Sequence, residues 1–142
     1  MKMRNLLLGL AALTLTATTS VAQDGPNTLD GVYSAEQAAR GKDLYADFCS
    51  SCHANNLTGT PGGPGIAGVR FNVKWGKKSV GELYTYIHDN MPAGSPGLLT
   101  ETEYLDVIAY ILEVNKYPAG EGVELTADIE ALNAITIGPA AK

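Results

Sequence analysis

Apolar positions recur at helical spacing in three stretches of this 142-residue chain, each opened by a residue suited to capping a helix. Ser34 with Gln37 has the spacing of a capping box, and Ala38, Gly41, Leu44, Tyr45 and Phe48 follow it, which predicts a helix from Ala35 to Phe48. Ser79 with Glu82 opens a second helix with Val80, Leu83, Tyr84 and Ile87 on one face, and this helix must stop before Pro92. Thr100 with Glu103 opens the strongest, from Glu101 to about Asn115. Its apolar arc, from Val107 through Ile111, Tyr104, Ile108, Leu112 and Leu105 to Ala109, is wider than one packing surface requires, so it is expected to pack against two things. A further short helix is predicted near Ala127 to Leu132, and no segment alternates as a strand would.

The connections are long and rich in turn formers. Residues 59–68 contain five glycines and two prolines, which fits a loop and excludes a helix or a central strand. Pro92 to Thr100 is a second such loop. Three helices joined in this way make a thin core for the length, and something other than protein is expected to fill the centre.

The first 22 residues read as a cleaved export signal. Lys2 and Arg4 form a basic head, Leu6 to about Ala17 an apolar run, and Ser20-Val21-Ala22 a small-residue cleavage site, which places the mature chain in the periplasm. The run is shorter than the roughly 20 residues a membrane span needs, and the next apolar cluster, Val107 to Leu112, is shorter still. The expected organisation is therefore a signal at 1–22, a domain at 23–120 and an acidic extension at 121–142. With Asp+Glu 15 against Lys+Arg 10 and a net charge of -5, a general nucleic-acid binder is excluded. The charge is uneven: Arg70, Lys74, Lys77 and Lys78 cluster together, whereas ten acidic and two basic residues follow from Ser79 onward.

Two cysteines in the whole chain cannot build a disulfide framework. Cys49-Ser50-Ser51-Cys52-His53 is instead C-x-x-C-H, the attachment signature of a c-type haem. Two thiols at this spacing can add to the vinyl groups on one porphyrin edge, with the imidazole of the next residue under the iron. Met91 is the only methionine left after the signal is removed. It lies in the loop after the second helix, before Pro92, where its thioether would complete His/Met coordination. His88 is the only other histidine and the competing ligand, placed beside rather than on the apolar face. The residues leave three other readings open: thiol-disulfide exchange at Cys49 and Cys52, a zinc site from Cys49, Cys52, His53 and His88, and a haem with an open gas-binding or peroxidatic face.

Gly41-x-x-x-Tyr45-x-x-x-Cys49-x-x-Cys52-His53, Tyr110 with Val107, and Gly63-Pro64-x-Ile66-x-Gly68 resemble the class I cytochromes c. Phe71-x-x-x-Trp75-Gly76, Met91-Pro92-x-x-x-Pro96-Gly97 and Ala109-Tyr110-Ile111-Leu112-x-x-Asn115-x-Tyr117-Pro118-Ala119-Gly120 narrow the resemblance to the small cytochromes and cytochrome domains associated with PQQ-dependent alcohol dehydrogenases. It covers about Val32 to Gly120. The resemblance implies an all-α cytochrome c fold, with three main helices around one covalently bound haem c. It implies a Pro64 carbonyl that accepts from His53, a Trp75 indole aimed at a haem propionate, and Tyr84, Tyr86, Arg70 and Lys74 as lesser propionate candidates. The implied function is one-electron transfer, not catalysis, from a donor such as a PQQ-dependent dehydrogenase to an oxidase or another cytochrome.

Overall fold

The computed structural model describes residues 25–139, so the export signal read at 1–22 lies outside the described residues. Among the described residues six α-helices follow one another, with one hairpin of two two-residue strands between the second and third: α1 Ala35–Phe48, α2 Ser50–His53, β1 Gly59–Thr60, β2 Gly63–Pro64, α3 Val69–Trp75, α4 Val80–Asn90, α5 Glu101–Val114 and α6 Ile129–Ala134. The fold is the all-α one that the helical spacing implies, with α1 and α5 as its central pair.

The helix starts follow from side-chain capping. At α4 and α5 both halves of the capping box form, Ser79 with Glu82 and Thr100 with Glu103. At α1 only half does. Ser34 accepts from the Gln37 N–H at 3.0 Å, but the Gln37 amide turns inward and makes two bonds with the backbone of Leu125. A residue read as a local cap therefore anchors the C-terminal tail from within the core.

α1 crosses α5 at Gly41, where a Cβ would overlap the Asp106 carbonyl. One turn further along, the Tyr45 and Tyr110 rings meet at 5.4 Å between centroids. Leu105, Ile108 and Leu112 of α5 are buried, each worth about 2 kcal/mol of transfer free energy. At the exposed edge of the crossing Arg40 makes two bonds to Asp106 at 2.9 and 3.0 Å and reaches Glu124 at 3.1 Å.

α3 was not expected from the sequence. Its N-cap is Gly68, with no side-chain cap, and Val69 and Val73 are exposed while Phe71 and Trp75 point inward, so its apolar pattern is blurred. The tail is also more than acidic surface. Leu125, Leu132 and Ile137 are buried, and residues 135–138 bond to Pro26, Thr28, Lys77, Lys78 and Val80. The tail thus straps the start of α4 to the N-terminal segment.

Candidate haem site

The Cys-containing motif begins where α1 ends. Cys49 caps α1 and leads into α2, whose short turn presents Cys49, Cys52 and His53. The backbone then folds back. Thr60 donates its hydroxyl to the Cys52 carbonyl at 2.7 Å, and the Ile66 N–H reaches the Leu57 carbonyl at 2.8 Å. This return is tight enough that a Cβ at Gly63 would press on Cys52 and one at Gly65 on Thr58. The consequence is that Pro64 lies beside His53, with its carbonyl oxygen 2.7 Å from Nδ1.

A carbonyl can only accept, so Nδ1 carries the proton, and in the neutral ring the lone pair is left on Nε2. This is the arrangement a metal-ligating imidazole needs, and the hydrogen bond makes it a better donor. Two adjoining cavities meet at this ring. One of about 400 Å³ is lined by His53, Ile66, Phe71, Trp75, Tyr86 and Met91, with Arg70 and Lys74 at its edge. The other, of about 210 Å³, is lined by Tyr45, Cys49, Cys52, His53, Met91 and Ile111 among others. His53, Pro64, Ile66 and Met91 line both. The walls are mainly apolar, and α5 closes one side through Val107 and Ile111. That accounts for its wide apolar arc, one face packing on α1 and another lining the cavity.

Met91 is the C-cap residue of α4, and its carbonyl accepts from the Tyr104 hydroxyl at 2.7 Å. Asn115, buried at the end of α5, receives the Gly68 N–H and donates to the Ile66 carbonyl, tying down the loop that floors the cavity. The sequence reading missed the contact roles of both Tyr104 and Asn115. Tyr104 opens a helix next to the Met91 loop, which is the available signal; Asn115 stands in the motif that carries the resemblance, but nothing in its local pattern points to Ile66 and Gly68.

The arrangement bears on the other readings. Burial first, then Cys52, pushes the Cys49 thiol up to about 11, away from the low values that make a thiolate nucleophile. His88 lines neither cavity. Its ring packs on Tyr84 and Tyr104 and its Nδ1 is 2.7 Å from Asp89, so it does not join the cysteines. Among the described residues no three of His, Cys, Asp and Glu gather as ligands for a metal ion.

Residues 36–111 match the family described as cytochrome c oxidase, cbb3-type, subunit III. The chain belongs to this cytochrome c family. Its cofactor is accordingly covalently bound haem c, and the donor set and apolar slot described above fit that group. The cytochrome is 30% identical over 82 residues to a thiosulfate dehydrogenase of Stutzerimonas stutzeri, an overlap of 51% of this chain and 26% of that protein. It is 33% identical over 104 residues to a cytochrome bc1 complex cytochrome c subunit of Corynebacterium diphtheriae, covering 71% of this chain and 35% of the relative. The cytochrome thus spans about a quarter to a third of these relatives' lengths. The crystal structure of the sulfane dehydrogenase SoxCD from Paracoccus pantotrophus aligns over 92% of this chain and 68% of its own, with a TM-score of 0.51 and 23% identity, a likeness of fold. Among the described residues no helix is long and apolar enough to cross a membrane.

Proposed function

We propose that this chain is an exported mono-haem cytochrome c that carries one electron at a time between larger periplasmic redox proteins. In this reading residues 1–22 are the cleaved signal, 23–120 the cytochrome domain and 121–142 its extension. Cys49 and Cys52 form the thioether bonds, His53 and Met91 are the axial ligands, Pro64 orients His53, and Trp75 donates to a propionate. One observation carries the assignment: His53, its Nδ1 proton engaged by Pro64, and Met91 line the same two cavities, one of which also holds both cysteines.

When bound, the haem supplies a reversible ferric/ferrous couple. The chain's own residues need supply no nucleophile and no general base. Pro64 fixes which His53 nitrogen faces the iron, and a Met91 thioether raises the potential relative to a second imidazole. Tyr45, Val107 and Ile111 keep water out, which sharpens the effect of every nearby charge. The resemblance in the Phe71–Trp75 and Met91–Gly97 segments supports a PQQ-dependent dehydrogenase as donor, with an oxidase or another cytochrome as acceptor. The names of the two sequence relatives, a thiosulfate dehydrogenase and a bc1-complex cytochrome c subunit, support a position between a dehydrogenase and a respiratory acceptor. Contacts of modest area suit such transient partners.

The test is an absorption spectrum of protein matured with haem-attachment machinery. A pyridine haemochrome of the two-thioether type and a ferric iron-to-sulfur band that vanishes in Met91→Ala are expected. A pigment-free, cooperatively folded product overturns the reading. Mixing the ferric protein with a PQQ-dependent alcohol dehydrogenase and its alcohol then tests the donor, with rapid reduction expected.

A further inference from the structure

The two cavities open to solvent through mouths of different character. The lining of the smaller one, including Phe48, Ser51, Cys52, Gly62 and Ala93, contains no Asp, Glu, Lys or Arg. The larger one has Arg70 and Lys74 at its edge and no carboxylate. Of the seven lysines and arginines among the described residues, four lie between Arg70 and Lys78, on a chain whose net charge is -5.

Trp75 and Tyr86 form the partition behind this basic mouth. Both line the larger cavity, and both also line an outer groove of about 280 Å³ completed by Lys78, Glu82, Thr85 and Asn133. Their rings meet edge to face, 5.3 Å between centroids. Lys74 Nζ sits 4.0 Å from the centre of the Tyr86 ring, and Lys78 Nζ 5.3 Å from that of Trp75, so the aromatic pair gathers cationic heads around itself. Lys77 and Lys78 are held in place by the tail, their backbone groups exchanging bonds with Ile137 at 2.8 and 2.7 Å. Glu82, 4.0 Å from Lys78, is the one carboxylate lining the groove.

We propose that this basic, aromatic-walled face is a second electron-exchange surface, separate from the uncharged mouth beside Cys52, and that it binds a redox partner presenting an acidic patch. The proposal rests on the haem-carrier reading above. A partner seated in the groove is separated from the cofactor cavity by a single pair of touching rings. With Arg70 and Lys74 beside the propionates in the haem-carrier reading, Lys77 and Lys78 on the outer side supply the positive charge that steers and orients that partner, whereas the uncharged mouth offers no such steering. A carrier that must accept and deliver thereby has two doors that charge can tell apart.

The test uses the haem-loaded full chain and two anionic probes. In the ferrous protein, the paramagnetic and redox-inert hexacyanochromate(III) ion is expected to broaden backbone amide signals of residues 70–86 far more than those of 48–63. Lys77→Glu/Lys78→Glu alters the outer face and leaves the lining of the larger cavity intact. It is expected to abolish that broadening and to slow oxidation by hexacyanoferrate(III) about tenfold at low ionic strength. Oxidation by the cationic tris(phenanthroline)cobalt(III) should speed up, and the differences should collapse at high salt. Ser51→Glu, at the uncharged mouth, should change the hexacyanoferrate(III) rate less than twofold. Broadening centred on 48–63, or a larger effect from Ser51→Glu than from the lysine pair, overturns the proposal. Failure of the haem-carrier reading would instead appear as a wild-type protein without a haem spectrum.

Discussion

The His53 side and the Met91 side of the cavity are built in different ways. From Cys49 to Ile66 the backbone is tied to itself at short range, through Cys49 to His53, Ala54 to Leu57, Cys52 to Thr60 and Leu57 to Ile66, and glycines at 59, 63 and 65 permit the close return. From Met91 to Leu99 there are the α4 C-cap bond, Pro92 to Ser95, His88 to Gly97, and the Tyr104 hydroxyl on the Met91 carbonyl, but nothing like the Gly59–Thr60 pairing with Gly63–Pro64 or the His53 bond to Pro64 that reinforce the first segment. Most of the latter segment is exposed. One side is therefore a preformed cradle, and the other is a loop held near the cavity chiefly by one buried tyrosine. A cofactor anchored by covalent bonds on the rigid side can tolerate a looser hold on the other, and a loop that supplies the proposed ligand Met91 is where reactivity can change at small cost to the fold.

Removing the covalent anchor should have the largest effect. Cys49→Ala/Cys52→Ala is expected to abolish haem retained after denaturation and, because the cavities then lack their occupant, to lose the cooperative thermal transition seen by circular dichroism. Next comes the frame on which both sides rest. Gly41→Val forces α1 away from Asp106 and should cost about 3 kcal/mol in denaturant unfolding. The same frame should weaken in alkali. Burial, and then the Glu113 carboxylate, push the Tyr33 phenol up to about 12. The unfolded chain ionises first as pH rises past about 10, so stability falls through that window, and Tyr33→Phe should flatten the fall. It should not abolish it, because burial raises Tyr45 too. Met91→Ala should leave helix content and covalent haem unchanged while the ferric iron-to-sulfur band disappears and the reduction potential drops. Unfolding by Met91→Ala as complete as that by the cysteine pair would erase the distinction between cradle and loop.

The two sides also differed in how far they could be read from the sequence. The spacing of Cys49, Cys52 and His53 is local, and α1, α4 and α5 announce themselves through hydroxyl caps followed by apolar residues at helical spacing. The boundaries of α1 agree with that reading, and those of α5 differ by one residue. What escaped was non-local or lacked such a marker. α3 begins at a glycine and leaves two valines exposed. Gln37 looked like a capping partner because Ser34 precedes it by three, but its amide serves Leu125, 88 residues away. Leu125, Leu132 and Ile137 lie in a stretch whose acidity masks their burial, and that stretch falls outside the 36–111 match to the family. Tyr104 could be read as core from its place on the helical arc; that its hydroxyl supports Met91 depends on a loop path that no periodicity reveals.

The smallest expected effect tests the comparison most closely. Tyr104 is 1% exposed, its ring edge lies against His88, and its hydroxyl makes the bond to Met91. Tyr104→Phe keeps the ring and deletes that bond, a change of about 1 kcal/mol. If the bond holds the loop rather than the whole fold, the loss should appear where Met91 competes for the iron. About fivefold less imidazole should then displace the sulfur band of the ferric protein, since 1 kcal/mol is about that factor in an equilibrium. Thr60→Val is the matching deletion on the other side, removing the hydroxyl bond to the Cys52 carbonyl. Redundant short-range ties and the thioether bonds should absorb it, leaving imidazole displacement unchanged. Equal sensitivity of displacement to the two variants would mean that the cradle and the loop are one cooperative unit, and the loosely held ligand side would have to be abandoned as an explanation.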